Sequence, residues 1–297
     1  MIWIILALLA RISTSCSSSV LQKMLVQRRW SSPMILAVSL SVVAISVVAW
    51  FAASSQFTNF PTRQFWLWIA IASILDVAGN LLLVRAIGHG DMSVIGPLNS
   101  YKPLVGAALG IFVLREFPTS WGYAGIIIIV MGSWILLQRR TAASHFRNWR
   151  LNKPVYDRLM SIVFTAAASI FLKNAIQESN AAQAYVGWSV GCCVLAWISL
   201  LFANRPSKPA TSLPILNPQS SDLYLLTASG MSFLVMQGTT IWLFAKMQIG
   251  YALALFQLAS IIQVYLGRRF FHEDQFFRRL VASIIMTIGA TLVLVGG

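Results

Sequence analysis

The sequence predicts an all-α polytopic membrane protein that crosses a lipid bilayer about ten times. Only 10% of its 297 residues are charged and 58% are hydrophobic, whereas soluble proteins carry about 25% charged residues. Uncharged stretches are long, and the one between Trp30 and Pro61 contains no charged side chain at all. A spanning helix needs about 20 apolar residues. Since a segment in lipid must satisfy its own backbone hydrogen bonds, these stretches are expected to be helices.

Ten helices are expected in chain order, and the connections between most of them are short. The predicted ranges are 2–25, 34–55, 65–86, 92–114, 119–138, 157–177, 181–203, 222–245, 248–268 and 278–296. Two connections are longer, the basic stretch 139–156 and the Pro- and Ser-rich stretch 204–221. The first helix has no basic region before it and no clear cleavage site after it, so we expect it to be retained.

A weak internal repeat relates the two halves of the chain. A shift of 157 residues superimposes Gly110 on Gly267, Glu116 on Glu273 and Gly132 on Gly289, and a shift of 150 superimposes Ser19, Lys23 and Gln27 on Ser169, Lys173 and Gln177. This predicts a first five-helix repeat over 1–138, a linker loop over 139–156 and a second five-helix repeat over 157–297. With five helices in each, the second repeat enters the membrane from the opposite side, an arrangement typical of secondary transporters.

Polar side chains in the middle of the predicted helices are the candidate substrate-binding residues. A charge at the centre of a spanning helix costs about 2.5–3.5 kcal/mol on insertion scales, so such groups usually face a cavity or a partner. The candidates are Arg11, Ser15, Asp76, Asn80, Asn99, Lys102, Gln237 and Gln257.

Two interpretations of the charged candidates stay open. Asp76 neutralises Arg11 or Lys102 as a structural ion pair, or these cations bind an anionic group of a substrate while Asp76 takes a proton or binds an amine. Lys23 and Lys173 lie near helix ends and are expected to extend to the membrane interface.

Helix 4 carries two further patterns. Gly106 and Gly110 are spaced for a close approach to helix 9. Pro97 and Pro103 are expected to kink the helix, either as a static bend or as a place where it moves.

The stretch from Pro97 to Glu116 resembles the fourth helix of EamA-type members of the drug/metabolite transporter superfamily. The glycines at 122, 125 and 132 match the fifth helix of that family, and residues 267–296 match its tenth. The chain departs from the family pattern at Arg115 and at Arg269–Glu273, which replace the common Gly-Glu pair. The resemblance implies ten helices, a central cavity lined by helices 1, 3, 4, 6, 8 and 9, and export or exchange of small metabolites.

Several function classes are not expected. The net charge of +14 comes from residues between apolar stretches rather than from one basic stripe, so no nucleic-acid partner is expected. No cofactor, metal site or enzymatic activity is expected either, because no metal-ligand spacing, nucleophile–base set or nucleotide-binding loop can be found. Most lysines and arginines lie in or beside the odd-numbered loops, which the positive-inside rule places in the cytoplasm, with both termini outside. The family resemblance implies both termini inside, and the orientation stays open.

These observations predict a secondary transporter that moves a small polar or amphiphilic metabolite by alternating access, most simply in the cytoplasmic membrane. Because basic groups outnumber acids among the candidates, a substrate with an anionic group is expected. The alternatives are a flippase for a lipid-linked substrate and a non-transport membrane protein. The expected partners are the substrate and membrane lipid, and the sequence leaves a homodimer open.

Overall fold

The structure, a computed structural model, describes residues 2–54, 62–102, 104–105, 120–137, 153–202, 220–246, 252 and 255–295. These residues form helices and turns, with no β-strand in this part of the chain. The helices are α1 (Ile2–Gln27), α2 (Ser32–Ala53), α3 (Arg63–His89), α4 (Met92–Ile95), the 3-10 helix η1 (Pro97–Tyr101), α5 (Ser120–Leu137), α6 (Lys153–Glu178), α7 (Ala181–Phe202), α8 (Ser220–Lys246), α9 (Leu258–Phe271) and α10 (Phe276–Val295).

The predicted helix bounds agree with the structure to within four residues at the ends that can be compared, apart from helix 4. Helix 4, predicted over 92–114 with a kink at Pro97, changes at that proline from an α-helix to a 3-10 helix over Pro97–Tyr101. The amide of Gly96 closes the last α-helical turn on the Met92 carbonyl at 2.9 Å, and Pro97 then has no N–H to continue the ladder. The amide of Asn99 bonds Gly96 at 3.0 Å in the tighter 3-10 pattern. Pro103, the Gly106–Gly110 pair and Glu116 lie outside the described residues, as does the predicted start of helix 9.

Helices of the first half pack mainly against helices of the second half. α3 lies along α6 and α1 along α8, while α5 packs on α10 and α2 on α7. α4 contacts α9. If each helix is replaced by the helix five positions away in chain order, the α3–α6 contact becomes the α8–α1 contact, which is also present. The same exchange maps the α5–α10, α2–α7 and α4–α9 contacts onto themselves.

The exterior is apolar and the interior contains polar side chains, which is the distribution expected of a protein in lipid. Leu201 is 82% exposed and Ile45 70% exposed, whereas Ser39, Ser229 and Gln257 are fully buried. Five described helices (α1, α2, α3, α6 and α7, the last over Ala181–Leu201) are long and apolar enough to cross a bilayer, and α5 is a shorter apolar helix. The protein is an all-α polytopic integral membrane protein, as the sequence predicts.

One close helix contact sets the geometry of the interior. A Cβ at Gly79 would lie 2.6 Å from the Thr165 side chain and 3.2 Å from the Ser161 carbonyl oxygen. The absence of a side chain at Gly79 therefore lets α3 approach the backbone of α6. This approach places Asp76 and Asn80 of α3 on the same cavity as Thr165 of α6.

Candidate functional site

A polar cavity lies between α1, α3, α4–η1, α6, α8 and α9, the six helices that the family resemblance implies. Its volume is about 130 Å³. Seven of the eight predicted site residues line it: Arg11, Ser15, Asp76, Asn80, Asn99, Lys102 and Gln237. The eighth, Gln257, is fully buried behind the wall, where its Oε1 accepts a hydrogen bond from Asn99 Nδ2 at 3.1 Å.

Asp76 occupies the middle of α3, half-buried at the cavity wall. Its Oδ2 accepts a hydrogen bond from the indole N–H of Trp188 at 3.2 Å. The Asn80 amide, one turn on, donates to the Asp76 backbone carbonyl at 2.9 Å. Among the described residues, no ion pair within 4.0 Å joins Asp76 to Arg11 or Lys102. The direct structural ion pair, one of the two sequence interpretations, is therefore not formed in this conformation.

Arg11 is held by the second half of the chain. Its Nε donates to Thr240 Oγ1 on α8 at 2.6 Å. The guanidinium also lies 4.6 Å from the ring centroid of Phe256, in the range of a cation–π interaction. Arg11 is therefore the cation that α1 contributes to the cavity, and the orientation of its guanidinium depends on α8 and on the segment before α9.

Arg158 is a cavity residue that the sequence analysis did not identify. It is buried on α6, where its Nε donates to the Ile95 carbonyl at 3.2 Å and its Nη2 to Asn99 Oδ1 at 2.7 Å. With helix 6 predicted to start at residue 157, this arginine was the second residue of the helix, at its end. The helix begins four residues earlier, at Lys153, which moves Arg158 into the second turn. The signal that could have found it is the same one used for Lys102, a charge inside a spanning helix.

A buried ionic cluster lies at the α9–α10 turn, next to Met92, which lines the cavity. Lys23 Nζ lies 2.6 Å from Glu273 Oε1, donates to the Gly90 carbonyl at 3.0 Å and lies 4.4 Å from the Phe271 ring centroid. The extension of Lys23 to the membrane interface stays a prediction, but its ammonium pairs inside the protein rather than with solvent. Its side chain is 7% exposed because a carboxylate 250 residues away neutralises it inside the bundle.

Glu273 is the centre of this cluster. Oε1 also accepts the Met92 amide at 2.7 Å, and Oε2 accepts the Ser93 amide at 2.8 Å and the Ser93 hydroxyl. Arg279 lies 3.5 Å from Oε2 and 2.6 Å from Asp91. Burial raises the pKa of Glu273, but the hydrogen bonds from Lys23 and Ser93 outweigh that effect, so its pKa lies below the ordinary value of 4.5.

Lys173, the residue that the repeat superimposes on Lys23, also faces inward. Its ammonium donates to the Phe244 carbonyl near the end of α8, at the opposite end of the bundle. Its extension to the interface likewise stays a prediction. Among the described residues, no group of three His, Cys, Asp or Glu side chains is arranged to hold a metal ion.

The first part of the chain, which contains the stretch from Pro97 to Glu116, matches a known family. Residues 1–138 match the model of the EamA-like transporter family. A 66-residue segment is 38% identical to an uncharacterized protein of Methanocaldococcus jannaschii, and the match covers 22% of this chain and 48%, about half, of that protein. A crystal structure of another protein is similar over 96% of this chain and 95% of its own, with a TM-score of 0.63 and 13% identity, which shows the shared fold.

The family match confirms the resemblance to EamA-type transporters of the drug/metabolite transporter superfamily. Members of this family are membrane transporters, a non-enzymatic kind of protein.

Proposed function

We propose that the protein is a secondary transporter of a small polar metabolite that carries an anionic group, and that it works by alternating access. The observation behind this proposal is the cavity in the bundle interior, which three cations and one carboxylate line. Ionisable groups at this depth are costly unless they serve a substrate or ion pathway. The chain would act in the cytoplasmic membrane.

The helix packing supports a mechanism with two inverted repeats. The main contacts map onto one another when helices 1–5 are exchanged for helices 6–10. A two-fold pseudo-symmetry of this kind gives two related conformations, each with the cavity open to a different side. In this mechanism the buried Lys23–Glu273 pair, which lies beside Met92 of the cavity lining, would hold the α9–α10 end closed in one of the two conformations.

The size of the cavity favours a small metabolite over a lipid-linked substrate. Its volume of about 130 Å³ is below the 300–1,000 Å³ that is typical of pockets for drug-sized ligands. A flippase would also require an apolar path for acyl chains. A reconstituted protein that moves fluorescent phospholipid between leaflets, and no soluble compound, would favour the flippase.

The test is counterflow in proteoliposomes with labelled amino acids, organic acids and sugar phosphates. We expect saturable exchange by the wild type, lost in Asp76→Asn and in Lys102→Ala because both groups line the cavity. Arg85→Gln is the matched control, since Arg85 lies exposed on the same helix as Asp76, outside the cavity. Absence of exchange for every compound, from protein that is shown to be folded, would contradict the proposal.

A further inference from the structure

We propose that the cavity is a binding site for a small oxyanion with two negative charges, and that Arg158 and Lys102 are the residues that select it. This inference rests on the proposed function and names the substrate class of the same site. The chemistry required is that of a short dicarboxylate or of a phosphate monoester.

The charges of the cavity are unbalanced. Its ionisable lining residues are Arg11, Lys102 and Arg158 against the single carboxylate of Asp76, a net of two positive charges when all four are ionised. Lys102 interacts electrostatically with all three of the other groups. The repulsion among the three cations is therefore relieved only in part by Asp76.

The other described acids that form ion pairs do so with other cations. Glu273 and Asp91 contact Lys23 and Arg279, and Asp222 contacts Arg28. Within the described part of the chain, no carboxylate lies within 4.0 Å of Arg11, Lys102 or Arg158. A buried cation without a neutralising partner is unfavourable, so an anion that enters the cavity would supply the missing charge.

Arg158 has the geometry to bind such an anion. Its contacts with described residues are the two hydrogen bonds to Ile95 and Asn99 and a long one, 3.5 Å, to Ser161 Oγ. A guanidinium has five N–H donors in a fixed fork that suits carboxylate and phosphate oxygens. Asn99, anchored on Gln257, fixes the orientation of this fork, and two donors stay available for a ligand.

Lys102 and the polar lining supply the remaining donors. The Lys102 ammonium makes no hydrogen bond to a described residue, so its three N–H groups can reach a second oxyanion or a second oxygen of the same phosphate. Ser15, Gln22 and Gln237 also line the cavity and can bind hydroxyl groups of the ligand. The small volume limits the ligand to a few carbon atoms beyond its charged groups.

Asp76 has a different part in this site. Its carboxylate interacts electrostatically with Lys102 but forms no ion pair within 4.0 Å with the described cations of the cavity. It therefore stabilises Lys102 in the empty carrier and repels an anionic ligand. Its removal raises the net charge of the cavity by one. We therefore expect Asp76→Asn to bind a doubly charged anion at least as tightly as the wild type, although it loses exchange.

The experiment measures equilibrium binding to the purified full-length protein by isothermal titration calorimetry, with succinate and glycerol 3-phosphate as probes. Lactate, inorganic phosphate and the cation putrescine serve as comparisons. We expect succinate, glycerol 3-phosphate or both to bind, and lactate and putrescine to bind much more weakly or not at all. Binding of glycerol 3-phosphate and inorganic phosphate without succinate identifies the phosphate group as the element recognised.

The variants Arg158→Gln and Lys102→Gln should each weaken dianion binding about tenfold to a hundredfold, the usual effect of losing a hydrogen bond to a charged group. Arg85→Gln should bind like the wild type. If Arg158→Gln does not fold, Arg158→Lys keeps the charge but not the fork and should still bind the dianion several-fold more weakly. Equal succinate and glycerol 3-phosphate affinities in the wild type and a folded Arg158 variant would overturn the inference.

Counterflow separates this inference from the proposed function. Exchange of neutral or cationic compounds with no exchange of either dianion would leave the transporter in place and overturn the dianion site. No exchange of any compound by folded protein would overturn both. Exchange of the dianions that Arg158→Gln abolishes and Arg85→Gln preserves would support both.

Discussion

Replacing Glu273 by Gln should destabilise the protein much more than the same change at Asp222. The Glu273 carboxylate is 5% exposed and its partner Lys23 is 7% exposed. The Asp222 carboxylate is 12% exposed, but its partner Arg28 is 44% exposed. The two sites therefore offer a buried and a half-exposed ion pair for the same chemical change, from carboxylate to amide.

The magnitude follows from the contacts of each carboxylate. Glutamine at 273 keeps one acceptor oxygen, but it brings an N–H₂ donor against the Met92 or Ser93 amides and leaves the buried Lys23 ammonium without its carboxylate. Removing one partner of a buried pair typically costs about 3–5 kcal/mol. Arg28, the partner of Asp222, is 44% exposed and can be hydrated when the carboxylate is lost, so Asp222→Asn should lose only about 1 kcal/mol.

The free energy of unfolding of each variant can be measured by reversible denaturation in mixed micelles, with helix content as the readout. We expect the Glu273→Gln loss to exceed the Asp222→Asn loss by about 2 kcal/mol or more. If both variants lose less than about 1 kcal/mol, the cluster does not stabilise this conformation, and the argument that it closes the α9–α10 end of the cavity fails.

Three further predictions concern acid stability, helix packing and access to the cavity. Because the pKa of Glu273 is lowered in the folded state, its contribution to stability is present above its unfolded pKa of about 4.5 and is lost as the pH falls through the folded pKa. Glu273→Gln should therefore reduce the loss of stability on acidification. A variant that loses stability on acidification like the wild type would contradict this. A Cβ at Gly88 would lie 2.5 Å from a branched side chain of α1, whereas a Cβ at Gly187 would have its nearest neighbour at 3.4 Å. Gly88→Ala should therefore lower the free energy of unfolding by about 1–3 kcal/mol. Gly187→Ala should leave it within about 1 kcal/mol of the wild type. In a background without the three native cysteines, a charged thiol reagent should modify Ser15→Cys, which lines the cavity, faster than Ser13→Cys, which is exposed on the lipid-facing exterior of α1. Equal rates would mean that the cavity admits no water.

Hydropathy was sufficient to predict the helices because it is a local property of the chain. An uncharged stretch such as 179–204 must form a helix if it lies in lipid, whatever it packs against. The depth of Asp76 and Lys102 follows from the same count of residues, and both line the cavity. The functional roles of these residues, the two inverted repeats and the orientation in the membrane stay predictions.

The features that sequence reasoning missed depend on contacts between residues that are distant in sequence. The burial of Lys23 depends on Glu273, which is 250 residues away and cannot be identified from the local sequence of α1. Arg158 was missed because the first turn of α6, which lies next to a basic stretch, was assigned to the linker.

The amino-acid sequence by itself determined the membrane environment, the number and approximate bounds of the helices, and the resemblance to a transporter family, since each depends on local composition and short motifs. The tertiary structure decided which face of each helix meets the cavity, which charges are neutralised and which are left for a ligand. The physical reason is that a charge in lipid must find a partner somewhere in the bundle, and only the packing of helices from both halves determines whether that partner is Glu273 for Lys23 or, as we propose, a bound anion for Arg158 and Lys102.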